Sequence, residues 1–369
     1  MLQSLKLSCI GCLPLLIFIQ NANAQNTRKD SLILQAYTEG YIALVPGNET
    51  IRERPGFIYS YSSQNKPAIN LAAFRVQYEH QRFRTSAAII AGTYAEKNLA
   101  QEEKWARNIG EAYAGFRLLK KEQLWLDAGV FPSHIGAESY IGKENFAATK
   151  ALISDQTPYY ETGIRISFRP SEKWYLSMLS LNGWQRISAP LNGLGANWGM
   201  QIQYTPTPKL TINNSSFIGK VQKGNEEKTR IYSNSYATVK ITKRDLLQIG
   251  WDIGFQDKTQ FKGVYIWNAF LAQYRHAMRN EKWAFLLRTE KISDPHNVLY
   301  IDVSGEQFIL NHLSANIDWS PDKRMLFRLE WNHQFGKQNL FRDGIVPIRR
   351  LSGLYLIACF DLKHVFSHK

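Results

Sequence analysis

Past its first 24 residues this chain of 369 holds one cysteine, Cys359, because Cys9 and Cys12 both lie within that leader. A lone cysteine forms no internal disulfide, so the fold must be stable without cross-links. No run of 18 or more apolar residues follows the leader, which excludes a transmembrane helix. The histidines His134, His276, His296, His312, His333, His364 and His368 share no ligand spacing with acids or with Cys359, so no metal centre is expected. There is no Ser-centred elbow motif, and Gly193-Leu194-Gly195 falls short of a phosphate-binding loop. These absences together point away from an enzyme and away from any cofactor.

What the chain does have is period-two alternation. Ala72, Phe74, Val76 and Tyr78 share one face of a strand whose other face carries Arg75, Gln77 and Glu79. Trp198, Met200, Ile202 and Tyr204 oppose Gln201, Gln203 and Thr205, and Phe327, Leu329 and Trp331 oppose Arg328, Glu330 and Asn332. Successive strand side chains point to opposite faces, so these are two-faced strands that fit no helical period. A soluble β-sandwich would alternate in the same way, so the choice between the two needs further signals.

The N-terminus supplies one. Lys6, the apolar stretch from Ile10 to Ile19, and Ala22-Asn23-Ala24 read as a secretory signal peptide over residues 1–24, leaving 25–369 as one domain. Its removal takes one lysine and no acid, so the net charge falls from +14 to +13. The aromatic residues supply another. Tyr37, Tyr41, Tyr78, Tyr94, Trp125, Tyr159, Trp174, Trp184, Tyr204, Trp251, Trp283, Trp319 and Trp331 fall near strand ends and are expected in interfacial girdles.

The connections supply the third. Seven are short and turn-like, at 80–82, 120–122, 170–173, 206–209, 242–245, 279–282 and 320–323, with the Pro, Ser, Asn and Asp that tight turns prefer. Between them lie about eight longer ones, at 44–69, 95–107, 132–157, 187–196, 220–229, 257–262, 293–306 and 336–349. Fifteen connections imply about sixteen strands, within a range of about fourteen to eighteen. The expected fold is all-β: a transmembrane antiparallel up-and-down barrel with short periplasmic turns and long extracellular loops. A barrel that wide leaves an aqueous lumen unless something fills it.

The third long loop, 132–157, is the expected constriction. Residues 143–153 contain good helix formers, so a short helix is expected there. Its charges Glu138, Lys143, Glu144 and Lys150 are candidates to narrow the mouth. A charge on the lipid face at mid-depth costs about 2–4 kcal/mol for Arg or Lys. The polar-face charges Arg75, Arg84, Arg117, Arg165, Arg275, Arg288, Arg328, Glu79, Glu111, Asp127, Glu161, Asp252, Glu290 and Glu330 are therefore expected to line the pore. Two roles fit them: a basic wall opposing acids on the third loop, or ion pairs between neighbouring strands. The basic surplus favours anions modestly, although loop lysines bound to acidic lipids would leave the sign open.

Several stretches resemble the OmpL-like β-barrel porins. They are Glu111-Ala112-Tyr113-Ala114-Gly115, the run from Leu124 to Gly136, Pro158-Tyr159-Tyr160-Glu161-Thr162-Gly163, Leu181-Asn182-Gly183-Trp184-Gln185-Arg186, Phe217-Ile218-Gly219 and Trp251-Asp252-Ile253-Gly254. The resemblance covers the mature chain in order. It implies an outer-membrane barrel of the porin kind, with no particular substrate and no defined site. With the wide lumen, the expected function is passive diffusion of small hydrophilic solutes across the outer membrane of a Gram-negative bacterium. Barrels of this kind usually end in a Phe. Here Phe366 takes that place for the barrel-assembly machinery, followed by Ser367-His368-Lys369. Outer-membrane lipids are the expected surroundings, a homotrimer is expected by analogy with other porins, and nucleic acid is not an expected partner. The alternative reading is a plugged, structural or adhesive barrel.

Overall fold

The computed structural model describes residues 30–47, 51–119, 122–188, 196–223, 226–258, 263–300 and 307–367. The predicted signal peptide lies outside them. The first eight strands are β1 Ser31–Leu44, β2 Pro67–Glu79, β3 Phe83–Ala91, β4 Ile109–Arg117, β5 Gln123–Pro132, β6 Tyr160–Ser171, β7 Trp174–Leu181 and β8 Trp198–Thr207. Then come β9 Leu210–Lys223, β10 Glu226–Lys240, β11 Asp245–Asp257, β12 Val264–Ala277, β13 Trp283–Asp294, β14 Phe308–Trp319 and β15 Met325–Gly336. A two-stranded hairpin, β16 Phe341–Asp343 and β17 Val346–Ile348, precedes the last strand, β18 Arg350–Ser367.

Every neighbour in the barrel is antiparallel, and β18 returns to pair with β1, so β1 to β15 and β18 form a closed ring of sixteen strands. Closure leaves no unpaired strand edge, the condition for a sheet to exist in hydrocarbon. Ser31 pairs with both Glu79 and Ser367, so both termini sit at the end of the barrel that carries the short turns. Phe366 pairs with Leu32 across the closing seam and points outward.

Side-chain exposure fixes the two faces. Phe74 is 52% exposed beside Arg75 at 8%, and Trp331 is 45% exposed beside Glu330 at 0%. The apolar face looks out and the charged face looks in. Six of the predicted turns fall at junctions of consecutive strands, some overlapping the strand ends, and residues 120–121 of the seventh lie outside the described residues. One predicted loop does not survive. β9 runs to Lys223, β10 begins at Glu226, and those two residues pair, so most of 220–229 is strand. The charged and polar ends of β9 and β10 read as a loop because they extend beyond the apolar belt.

The aromatic girdle also needs correction. Trp174 stacks on Tyr204 with ring centres 4.2 Å apart, Trp283 on Trp319 at 5.9 Å, and Trp251 and Trp331 also face outward. Tyr37, Tyr41, Tyr94, Trp125 and Tyr159 are instead buried inside the barrel, and Trp184 packs inward on Phe217 and Tyr232. Tyr37 and Tyr41 share the face of Glu39, so strand parity sends them inward whatever their distance from the strand end.

Candidate functional site: the lumen and the loop that crosses it

The loop between β5 and β6, residues 133–159, does not stay at the rim. Residues 145–159 are buried throughout; the wall partners of 145–152 lie on β13 and β15, the side of the ring facing β5 and β6, and Lys143 reaches Tyr37 on β1 and Asp361 on β18. The loop therefore crosses the lumen as a strap. Its root is narrow. Gly129 on β5 has φ 127°, and a Cβ there would run into the Ala112 carbonyl on β4, so only glycine fits that close approach.

The helix expected over 143–153 is absent. Only two 3₁₀ turns form, Gly142–Glu144 and Ser154–Gln156. The backbone groups that a helix would pair internally are taken by the wall. The Arg328 guanidinium donates to the carbonyls of Gly142 (3.0 Å), Asn145 (2.7 Å) and Ala147 (2.6 Å). Arg288 donates to the Thr149 carbonyl (2.9 Å) and Oγ1 (2.7 Å). Glu330 accepts from the Thr149 N–H (2.7 Å) and hydroxyl (2.6 Å), and Glu290 from the Leu152 N–H (2.6 Å). Bonds to charged groups contribute about 1.5–3 kcal/mol each, more than the few tenths at stake in helix propensity.

The wall charges also pair with each other. Arg288 lies 3.0 Å from Glu290 and 3.1 Å from Glu330. Asp318 takes both Arg328 (3.1 Å) and Arg275 (3.5 Å). On the other side Asp127 takes Arg84 (2.6 Å) and Arg165 (3.0 Å), and Arg75 meets Glu111 at 3.2 Å. Glu161 holds His134 at 2.8 Å, and Asp252 accepts from Tyr232 and Asn234. Glu79 and Arg117 lie at the turn ends of their strands, where Arg117 donates to the Glu122 carbonyl at 2.8 Å. Alternation places all of these charges on the inner face.

The strap's own charges are engaged as well. Glu138 accepts from the Ala151 N–H (3.0 Å), Lys143 reaches Asp361 (3.2 Å), Glu144 is hydrogen-bonded to Ser139, and Lys150 donates to the Ser139 carbonyl. The charges form a pairing network, not two opposed rows across an open eyelet. Sequence reasoning missed Asp318, His312 and Glu39. His312 Nδ1 lies 2.8 Å from Glu290, and Glu39 accepts from Asn70 at 2.7 Å. Strand parity carries the signal, since Asp318 shares the face of Ser314 and Asn316.

The wall of β8 to β12 carries fewer charges, chiefly Arg230, Asp252 and Arg275, beside a ladder of neutral groups: Gln201 donates to Asn213 (2.8 Å), Asn213 to Ser215 (3.0 Å), Gln248 to Thr238 (2.9 Å) and Gln273 to Gln248 (2.6 Å). The strap touches it near its own start, where Gly136 N–H donates to Asn234 at 3.1 Å. Between strap and ladder lies a small pocket of about 20 Å³, bounded by Gly136, Glu138, Thr157, Asn234, Gln248 and Asp252. Among the described residues no cluster of His, Cys, Asp and Glu is arranged to hold a metal ion.

Residues 31–345 match the family model described as "Putative beta-barrel porin-2, OmpL-like". Solved structures with the same fold include the outer-membrane channel DcaP of Acinetobacter baumannii, with 9% identity, TM-score 0.60, and coverage of 92% of this chain and 100% of that one. The anion-selective porin of Comamonas acidovorans is similar at 8% identity and TM-score 0.58, covering 90% and 100%. In-vitro folded OmpT of Vibrio cholerae in its trimer form is similar at 7% identity and TM-score 0.58, covering 91% and 100%. None of the curated proteins matches the chain. The family and these neighbours point to the outer membrane of Gram-negative bacteria.

Proposed function

Because this chain belongs to the OmpL-like β-barrel porin family, we propose that it carries small hydrophilic solutes across the outer membrane by passive diffusion, with the 133–159 strap as the constriction. The carrying observation is the strap's course across the lumen onto the charged β13–β15 wall. It divides the interior and leaves solutes the side where amides and hydroxyls predominate, with Asp252 and Arg230 among them. Gln201, Gln203 and Tyr236 keep partial exposure there, whereas Ser314 and Asn316 behind the strap are 4% and 3% exposed. The paired wall charges leave little net field at the constriction, so selectivity is weak and favours anions only through the +13 surplus.

Export by a signal peptide over residues 1–24, delivery of the barrel domain 25–369 to the barrel-assembly machinery through Phe366, and assembly into a homotrimer belong to the same reading. The trimer form of V. cholerae OmpT supports the last of these. The chemistry of the wall supports a channel and not a catalyst: its carboxylates sit in ion pairs and loop contacts.

One observation favours a second reading, a plugged barrel. Apolar clusters fill the loop-side half of the interior, among them Phe57 with Phe308 and Phe341, and Phe131 with Tyr232 and Trp267. Single-channel recording in planar bilayers separates the two. Small ohmic steps with a reversal potential near zero under a salt gradient support diffusion past the strap. A correctly folded, heat-modifiable barrel that passes no current supports the plug.

A further inference from the structure

The outer face carries a polar interruption at mid-depth on β9 and β10. The outward residues of β9 run Ile212, Asn214, Ser216, Ile218, and those of β10 run Ile231, Ser233, Ser235, Ala237. Exposure fixes the parity: Ile212 and Ile218 are 44% and 49% exposed, whereas the intervening Asn213 and Ser215 are 1% and 0%. Register brings the four polar residues together, with Asn214 opposite Ser235 and Ser216 opposite Ser233. The Asn214 amide donates to Ser233 Oγ at 2.9 Å and to Ser235 Oγ at 2.8 Å.

The neighbouring strands set the depth. On β8, Met200 pairs with Ser216 and Ile202 with Asn214, and Trp198 and Tyr204 stand one outward step beyond on either side. On β11, Trp251 and Ile253 pair with Ser235 and Ser233. The patch thus lies halfway between two aromatic levels, ringed by larger apolar side chains. Hydrocarbon offers such groups no hydrogen-bond partner, so polar side chains at this depth favour contact with protein.

We propose that this patch lies on the rotation axis of a homo-oligomer, where identical copies of it meet. It rests on the outer-membrane reading above but not on conductance. The partner is a second copy of this chain for two reasons. Amides and hydroxyls are donors and acceptors at once, so the patch is its own complement. The serines are small, so two barrel walls can approach closely between the taller Met200, Ile202 and Trp251. Identical residues meet only where a symmetry axis passes.

The test is same-residue cross-linking in native outer membranes, with Cys359→Ser as background. Ser235→Cys should give a disulfide-linked pair on a non-reducing denaturing gel. Ala87→Cys, on the outer face of β3 across the barrel, should give none. A pair through position 87 alone, pairs at both positions, or no pair at either overturns the proposal. A second variant guards against misfolding. Asn214→Leu with Ser233→Leu should abolish the oligomer band in mild detergent while the monomer stays heat-modifiable. An oligomer band retained at wild-type intensity overturns the proposal equally.

Discussion

Two stretches of one barrel wall solve the same problem in different ways. The inner face of β13 and β15 carries Arg288, Glu290, Arg328 and Glu330, all at most 4% exposed, and each holds backbone groups of the strap. The inner face of β8 to β11 carries mainly amides and hydroxyls bonded along the wall to each other, with Arg230 and Asp252 as its charges. Charge is used where a loop must be gripped, and neutral polarity where the wall faces solvent. A buried ion pair is poor evidence for stability by itself, because desolvation offsets the Coulomb gain. Here the charges also bond strap carbonyls and N–H groups that would otherwise be buried unsatisfied, which is the more costly condition.

The contrast breaks most severely at Arg328. Arg328→Met leaves three strap carbonyls without their donor and removes one of the two cations on Asp318. Losing one partner of a buried charged group costs about 3–5 kcal/mol. The folded band on semi-native gels should therefore melt at lower temperature, and channel steps should grow larger and noisier. Glu330→Gln is milder. It keeps an acceptor for Thr149 but removes the charge beside Arg288, a loss on the order of 1.5–3 kcal/mol read by the same melting assay.

The opposite wall should respond in function and not in stability. Gln203→Lys changes stability by no more than about 0.5 kcal/mol, as for partly exposed positions elsewhere, and shifts the reversal potential toward anions. The smallest effect belongs to an exposed pair in the short turn at the end of β14. Arg324 holds the Asp322 carboxyl down to about 2 in the turn between β14 and β15. A depressed carboxylate contributes stability above its unfolded value near 3.9 and loses it as pH falls through about 2. Melting measured from pH 8 to pH 5 should show no pH dependence from this turn, and Asp322→Asn should leave the shape of that profile unchanged.

Much of the fold was legible because the bilayer imposes period two on every strand. Alternation and turn residues are enough to place sixteen strands and the six turns that lie wholly within the described residues. The aromatic failures share a cause: nearness to a strand end says nothing of which face a residue takes. Tyr37 and Tyr41 were assigned to the girdle by nearness to a strand end, although Glu39 between them marks the inner face. The 220–229 loop was read from polar residues that are the outer ends of β9 and β10. The strap helix failed for another reason. Helix propensity describes the isolated segment, and the partners that replace the helix, Arg288 and Arg328, lie 139 and 183 residues away from the groups they bond. No local signal contains them.

The central claim, that solutes pass along the neutral wall and not the gripped one, has a direct test. Single cysteines at Gln203→Cys and Ser314→Cys, in a Cys359→Ser background, would be exposed to a cationic thiol reagent during single-channel recording. The account expects the Gln203→Cys current to fall in steps and the Ser314→Cys current to stay unchanged. Block at position 314 with none at 203 would contradict it.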